Sequence, residues 1–378
     1  MDIGFSEEQE MLRKGARDFL ETECPKSLVR QMEEDEKGYS PELWKKMADL
    51  GWIGLAVPED YGGTGGNFLD VAVLLEEMGR ACLPGPFFST VILGALPICF
   101  AGNDQNKQSI LPRIANGDLL MTLALTEPYG NAEAAGITIN ADCINGGDYI
   151  LSGTKLFVSD AHVADQLLCV ARTCKSSNQE DGITLFLVDS RSLGVKTRIL
   201  NTMASDKQCE VVFAGVAVPR TNVIGQVDKG WEIVERILQF AAIAKCAEIV
   251  GNIQQVLDMA VTYSKERVQF GKPIGSFQAI QHHCANLAID VDGARLITYK
   301  AAWKLSQGLP ADMDVSMAKA FVSDASYRVT CTGHEIFGGI GFTKDHDMQL
   351  YYRRAKVGGL TFGSADHHRK EIAQKLLA

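Results

Sequence analysis

Residues 360–369 read Leu360-Thr361-Phe362-Gly363-Ser364-Ala365-Asp366-His367-His368-Arg369. Shortly upstream stand Gly338-Gly339-Ile340-Gly341-Phe342 and the basic pair Arg353-Arg354. Glycines grouped in this way let a backbone come close to another molecule. The centre of the stretch is Phe362, a phenyl ring, which cannot accept a proton.

Upstream of these motifs the chain is helical by period. Amphipathic segments cover residues 231–266, 277–307 and 311–337, joined by short connections. Helices of this length with short loops predict an antiparallel bundle. Before them the period changes to short β-type runs at residues 121–126, 149–152, 155–159, 166–170, 183–188 and 209–213. Gly, Asn, Asp and Ser separate these runs, and their spacing predicts a small barrel or sandwich. The first part is helical again. Ser6-Glu7-Glu8-Gln9 reads as a capping box, followed by Leu12, Ala16, Phe19 and Leu20 at helical spacing. Further helices are predicted over 41–50, 69–81 and 105–114. The run Tyr61-Gly62-Gly63-Thr64-Gly65-Gly66 has no strand before it and no Lys after it, so it reads as a connector, not a phosphate-binding loop. The order gives an α+β fold: a helical domain at 1–117, a β domain at 118–228 and a four-helix-type bundle at 229–378.

The chain has 378 residues, enough for two or three cored domains. With 46% hydrophobic and 22% charged residues it has the composition of an ordinary globular protein. A net charge of -10 argues against nucleic acid as a partner. The ten cysteines form no C-x-x-C pair and read as reduced, mostly buried thiols, with no metal site. The acidic start lacks the features of a secretion or organelle signal, and no apolar run reaches the ~18 residues that span a bilayer. A cytoplasmic protein is expected.

The order of domains and the motifs, over nearly the whole chain, resemble the acyl-CoA dehydrogenase family. Leu125-Thr126-Glu127-Pro128 resembles the family's Thr-Glu-Pro, Phe157-Val158-Ser159 its aromatic-Ile-Ser/Thr, and Arg267-Val268-Gln269-Phe270-Gly271 its Arg-x-x-Phe-Gly. Gly153-Thr154-Lys155 resembles its Gly-x-Lys turn, and Glu335-Ile336-Phe337-Gly338-Gly339 its Gln-Ile-Phe-Gly-Gly. The resemblance implies FAD, bound between the β domain and the bundle, and an acyl-CoA substrate. A hydride leaves the β-carbon for the flavin, and a proton leaves the α-carbon for a carboxylate. An electron-transferring flavoprotein takes the electrons, and the assembly is a tetramer in which each FAD also touches a neighbouring subunit.

The implied FAD contacts are Leu125, Thr126, Phe157, Ser159, Arg267, Phe270, Gln278, Glu335, Gly338, Gly339, Ser364 and Asp366. The Ser159 hydroxyl would donate toward the flavin where negative charge develops on reduction. The Arg267 guanidinium suits phosphate oxygens. The implied acyl-CoA contacts are Ala132, Gln239, Ala241, Ala242, Phe362 and Gly363.

The chain departs from the family pattern at linked positions. The base expected in the aromatic-Glu-Gly-Thr motif is Phe362. The alternative seat of that base, on the first long helix of the bundle, falls at Ala241, and the Arg that normally follows is Ala242. Ala132 replaces a Ser near the pantetheine. Glu335 and Asp366 stand where the family has neutral amides. Glu248, two turns beyond Ala241, reads as a buried structural acid. His367, His368 and Asp347 are nearby ionisable groups outside the family's base positions.

No catalytic residue is therefore assigned, and three readings stay open. One is an FAD-dependent dehydrogenase for a bulky or cyclic acyl-CoA, resembling the branch that handles cyclic and steroid-derived thioesters. Another is the base-less chain of a heteromer, and the last is a related lyase or enoyl-CoA reductase. The assembly is a homotetramer or a heterotetramer with a related chain.

Overall fold

The computed structural model describes residues 4–128, 133–144 and 147–377. Helix α1 (Glu7–Glu23) begins as expected. The Gln9 amide donates to Ser6 Oγ at 3.2 Å, and the Ser6 amide donates back to Gln9 Oε1 at 3.1 Å. Helix α2 (Lys26–Glu34) was not expected. Helix α3 (Pro41–Asp49) is capped by Ser40 and has Pro in its first turn. Helix α4 (Phe68–Ala81) is buried along most of its length. A π-helical segment, Phe88–Ala95, leads into α5 (Leu96–Ala101) and α6 (Asp104–Ala115). That segment is almost wholly buried and so carries no amphipathic period to read.

The strands are β1 (Met121–Ala124), β2 (Asn140–Cys143), β3 (Tyr149–Ser159), β4 (Gln166–Arg172), β5 (Ile183–Asp189), β6 (Val195–Leu200), β7 (Gln208–Val218) and β8 (Val223–Ile224). They form one sheet in the order β6-β7-β3-β2-β4-β5-β8, with β1 pairing parallel to β4. Two expected runs, 149–152 and 155–159, are one strand. Gly153-Thr154-Lys155 is thus strand interior and not a turn. Leu125 and Thr126 lie just past the end of β1. Strand β6 was missed because four of its six residues face water, which leaves no apolar alternation.

The C-terminal part holds α7 (Trp231–Glu266), a hairpin of β9 (Val268–Gln269) and β10 (Lys272–Pro273), α8 (Gln278–Ser306), α9 (Asp312–Phe337), α10 (Met348–Leu360) and α11 (Ala365–Leu377). Three long helices and two shorter ones stand where a four-helix-type bundle was expected. No helix among the described residues is long and apolar enough to cross a membrane.

The chain sorts into two compact units. One comprises the residues up to Arg30, residues 68–83 and the chain from Gln239 on; the other comprises 31–67 and 84–238. In the first unit α4 and α7 meet backbone to backbone. A Cβ on Gly79 would lie 1.8 Å from the Glu248 carbonyl oxygen, and one on Gly251 would lie 1.7 Å from that of Glu76. The Glu76 side chain is buried there. It accepts from Arg295 at 3.0 and 3.1 Å and from the Tyr299 hydroxyl at 2.7 Å. The second unit holds the sheet. Its core includes Leu151, Leu168, Val170, Leu185, Phe186 and Phe213.

Candidate functional site

In the sheet-containing unit, Lys155 on β3 is fully buried. Its ammonium donates to the Leu125 carbonyl at 2.9 Å and to Glu127 Oε1 at 2.8 Å. Glu127 also accepts from the Thr138 amide at 3.0 Å and the Ile139 amide at 3.2 Å. Burial alone would raise the Glu127 carboxyl, but Lys155 and these donors hold it below its ordinary range. The Leu156 amide donates to the Thr126 carbonyl at 2.8 Å. Leu125 and Thr126 are therefore fixed from both sides. Leu125 is buried, and Thr126 is half-buried. Ala132 falls outside the described residues.

Two residues further along β3 the pairing with β7 slips. Leu156 and Phe157 together stand opposite Glu210, a bulge of two residues against one. Phe157 has φ 53° and a side chain 61% exposed. A bulky residue at positive φ is an outlier, and such strain gathers at functional positions. Ser159 was expected to point its hydroxyl at a cofactor. In this structure the hydroxyl is engaged within the sheet by Gln208, whose amide nitrogen donates to it at 3.0 Å. Gln208 in turn donates to Asp206 at 2.8 Å, and Asp206 accepts from Thr202 at 2.6 Å.

In the helical unit, Phe362 sits in the turn between α10 and α11 at φ 59°. Its carbonyl pairs with Nε2 of His368 at 3.0 Å, so that nitrogen carries the proton. Burial pushes the His368 imidazole down to about 4. Gly363 has φ 97°, and a Cβ there would lie 2.6 Å from His368 Nε2. Only glycine fits that position. Ser364 caps α11, accepting from the His367 amide at 3.3 Å. Asp366, expected to oppose a phosphate, lies exposed and pairs with Arg369 at 3.0 Å. Glu335 is also exposed.

Ala241 and Ala242 are buried in α7. Gln239 donates to Asp312 at 2.7 Å. Glu248 is not a buried structural acid: it is partly exposed and pairs with Lys245 one turn earlier. Arg267, just before the hairpin, Phe270 within it and Gln278 after it are all exposed. Phe270 is 93% exposed at φ 54°. Among the described residues seven non-glycines have positive φ, and the phenylalanines among them are Phe157, Phe270 and Phe362. All three are positions that the motifs had singled out.

Gly338 and Gly339 test whether a cofactor fits. A Cβ at either would meet no atom of this chain within 4 Å. Gly339 does not need its glycine for conformation or for internal packing, which leaves room for a group from outside. A cofactor with a bulky polar tail suits that opening. Among the described residues no group of three or more His, Cys, Asp or Glu could hold a metal ion. All ten cysteines are free, and five are buried.

The residues missed at the sequence level are Lys319, Gln208 and the positional role of His368. Lys319 lies fully buried on α9 and reaches the turn that carries Phe362. Its neighbours Ala318, Ala320 and Val322 are buried as well. A lysine within such a run, with a serine one turn on at Ser323, was the available signal.

The chain matches the model of the acyl-CoA dehydrogenase N-terminal domain over residues 6–118, of the middle domain over 122–216 and of the C-terminal domain over 228–377. It is 32% identical to a 3-(aryl)acrylate reductase of Clostridium sporogenes, over 99% of each chain. It is 31% identical to the caffeyl-CoA reductase-Etf complex subunit CarC of Acetobacterium woodii, again over 99% of each. Its fold superposes on butyryl-CoA dehydrogenase from Megasphaera elsdenii with a TM-score of 0.93, 32% identity and full coverage of both chains. The ChsE4–ChsE5 complex from Mycobacterium tuberculosis matches with a TM-score of 0.90 and 28% identity, over 100% of this chain and 99% of that one. The chain belongs to the acyl-CoA dehydrogenase family of FAD flavoenzymes.

Proposed function

We propose that this chain holds FAD, receives a bulky or cyclic acyl-CoA thioester, and works in an assembly whose other chain carries the α-proton base. The observation behind this reading is the pair Phe362 and Ala241. Both seats that the family resemblance gives to the base are apolar, and proton abstraction needs an acceptor. The turn around Phe362 is nonetheless held tightly by His368 and Lys319. A site that had merely decayed would have no need of that support.

FAD, when bound, supplies hydride acceptance. Phe157 would pack against it, and Thr126 with the neighbouring amides would line its polar edge. Gly338 and Gly339 leave space for its diphosphate, and Arg267 is suited to the phosphates. Phe362 would replace a charged wall by an apolar one, which favours a large hydrocarbon group. Solvent-facing apolar side chains on the hairpin and α8, including Val268, Phe270, Ile289 and Leu296, suit contact with further chains. The similarity to a two-component complex favours a related chain as partner. The Etf-complex relative favours an electron-transferring flavoprotein as electron acceptor.

The test is a visible spectrum of the purified protein, alone and co-expressed with a related chain that keeps a Glu at the base position. Yellow protein that bleaches with acyl-CoA only in the mixed assembly is the expected result. A homo-oligomer that bleaches fully on its own overturns the reading. Two relatives named as reductases favour a second reading, reduction of an enoyl thioester. Product mass separates the two: desaturation removes two hydrogens, and reduction adds two.

A further inference from the structure

Lys319 is the most confined charge in the helical unit. Its side chain is fully buried. Its Nζ donates to the carbonyls of Gly358 at 3.0 Å and Gly363 at 2.9 Å and to Ser323 Oγ at 3.1 Å, and the Gly359 carbonyl at 3.3 Å shares one of these three N–H groups. No carboxylate among the described residues pairs with it. Burying an ammonium without a counter-ion is costly, and packing alone is served by an apolar chain of the same length. The charge must therefore be matched by what it holds.

What it holds is specific. Gly358 and Gly359 lie in the last turn of α10, where helix carbonyls run out of amide partners and a cation is favoured. Gly363 follows Phe362 directly. One ammonium thus grips the chain on both sides of Phe362, and His368 grips the Phe362 carbonyl itself at 3.0 Å. Between these anchors Phe362 keeps a left-handed backbone, which a phenylalanine does not adopt unaided.

We propose that Lys319 is a positioning residue: its buried ammonium ties Gly359 to Gly363 and so holds Phe362 in the conformation that presents its ring to the acyl thioester. The inference rests on the reading of residues 360–364 as a wall of the thioester site. Its mechanical half, the clamp, stands apart from that reading. Ser323 completes the clamp by receiving one N–H and donating in turn to the Lys319 carbonyl at 2.7 Å.

The test uses the FAD-loaded full chain, in the assembly it forms, as wild type, Lys319→Met and Lys319→Gln. Amide hydrogen exchange is followed in residues 357–364, and the flavin band is titrated with butyryl-CoA and with a cyclohexane-carboxyl thioester. In Lys319→Met, exchange in 357–364 should rise at least tenfold while α7 and α8 exchange as in wild type. FAD content should stay the same, and the thioester Kd should rise about tenfold. Lys319→Gln, which keeps an N–H donor, should fall between, and it serves alone if the methionine variant does not fold. Exchange within twofold of wild type in 357–364 overturns the clamp. A wild type whose flavin ignores every thioester overturns the site reading instead, and the exchange result still decides the role of Lys319.

Discussion

The Lys155 ammonium and the Glu127 carboxylate lie 2.8 Å apart with both side chains buried. The pair spans the gap between β3 and the segment that leaves β1. Lys155 also holds the Leu125 carbonyl, and Glu127 also holds the Thr138 and Ile139 amides. Removing one partner strands the other charge. Lys155→Met should cost about 3–5 kcal/mol, and adding Glu127→Gln should recover part of that loss. Urea unfolding of the two variants measures both. FAD retention should fall in step, because Thr126 loses its support.

The crossing of α4 and α7 makes an opposite pair of expectations for glycine. Gly79→Ala or Gly251→Ala places a methyl within 2 Å of a backbone carbonyl, which cannot move like a side chain end. Each should destabilise by at least about 3 kcal/mol. Gly15→Ala on α1 meets no atom within 4 Å and should stabilise by roughly 0.5–1 kcal/mol. Midpoints in urea, compared at constant slope, give the three values.

Gly339→Ala separates folding from cofactor binding. The added methyl meets nothing in this chain, so the unfolding midpoint of the apoprotein should stay within about 0.5 kcal/mol of wild type. FAD should be held at least tenfold more weakly, read from the flavin lost on gel filtration. A variant that keeps its flavin would show that the opening beside Gly339 does not face the cofactor.

His368 gives the fold an acid-side dependence. Burial lowers its imidazole from 6.5 to about 4. The unfolded chain therefore binds the extra proton first as pH falls. The stability linked to His368 is whole above about pH 6.5, declines between 6.5 and 4, and changes no further below that. Its full size is about 3 kcal/mol at most. His368→Gln, which keeps a side-chain donor toward the Phe362 carbonyl, should flatten that part of the stability curve.

Much of the architecture was legible because it depends on local periods. The Ser6 cap, the long α7, α8 and α9, and the strands β1, β3, β4, β5 and β7 follow from sequence spacing and polarity. What escaped was set by tertiary context. The Phe88–Ala95 segment is buried all round, and β6 is exposed almost throughout, so neither shows a period. The site divided in the same way. Phe157, Phe270 and Phe362 were singled out by motif, and each has a left-handed backbone. Lys319 was not found, because its partners are carbonyls 39 to 44 positions away along the chain, and carbonyls carry no sequence letter. For the acids at 335 and 366 the sequence leaves two outcomes open: repulsion of a phosphate, or a side chain turned to water or to a basic residue. One faces water and the other pairs with Arg369, since Arg369 lies one turn along α11 from Asp366.

The helical unit is assembled from three stretches of chain, with the last beginning at Gln239. That has a consequence for the order of events on the ribosome. Helix α4 is mostly buried and carries a broad apolar face, and its partner surface around Gly251 is made roughly 170 residues later, on the order of 10–30 s at ordinary synthesis rates. During that interval a sticky helix waits without its counterpart, while the sheet-bearing unit, complete at Leu238, is free to close first. Nascent chains stalled between positions 90 and 230 should therefore be the species that chaperones capture.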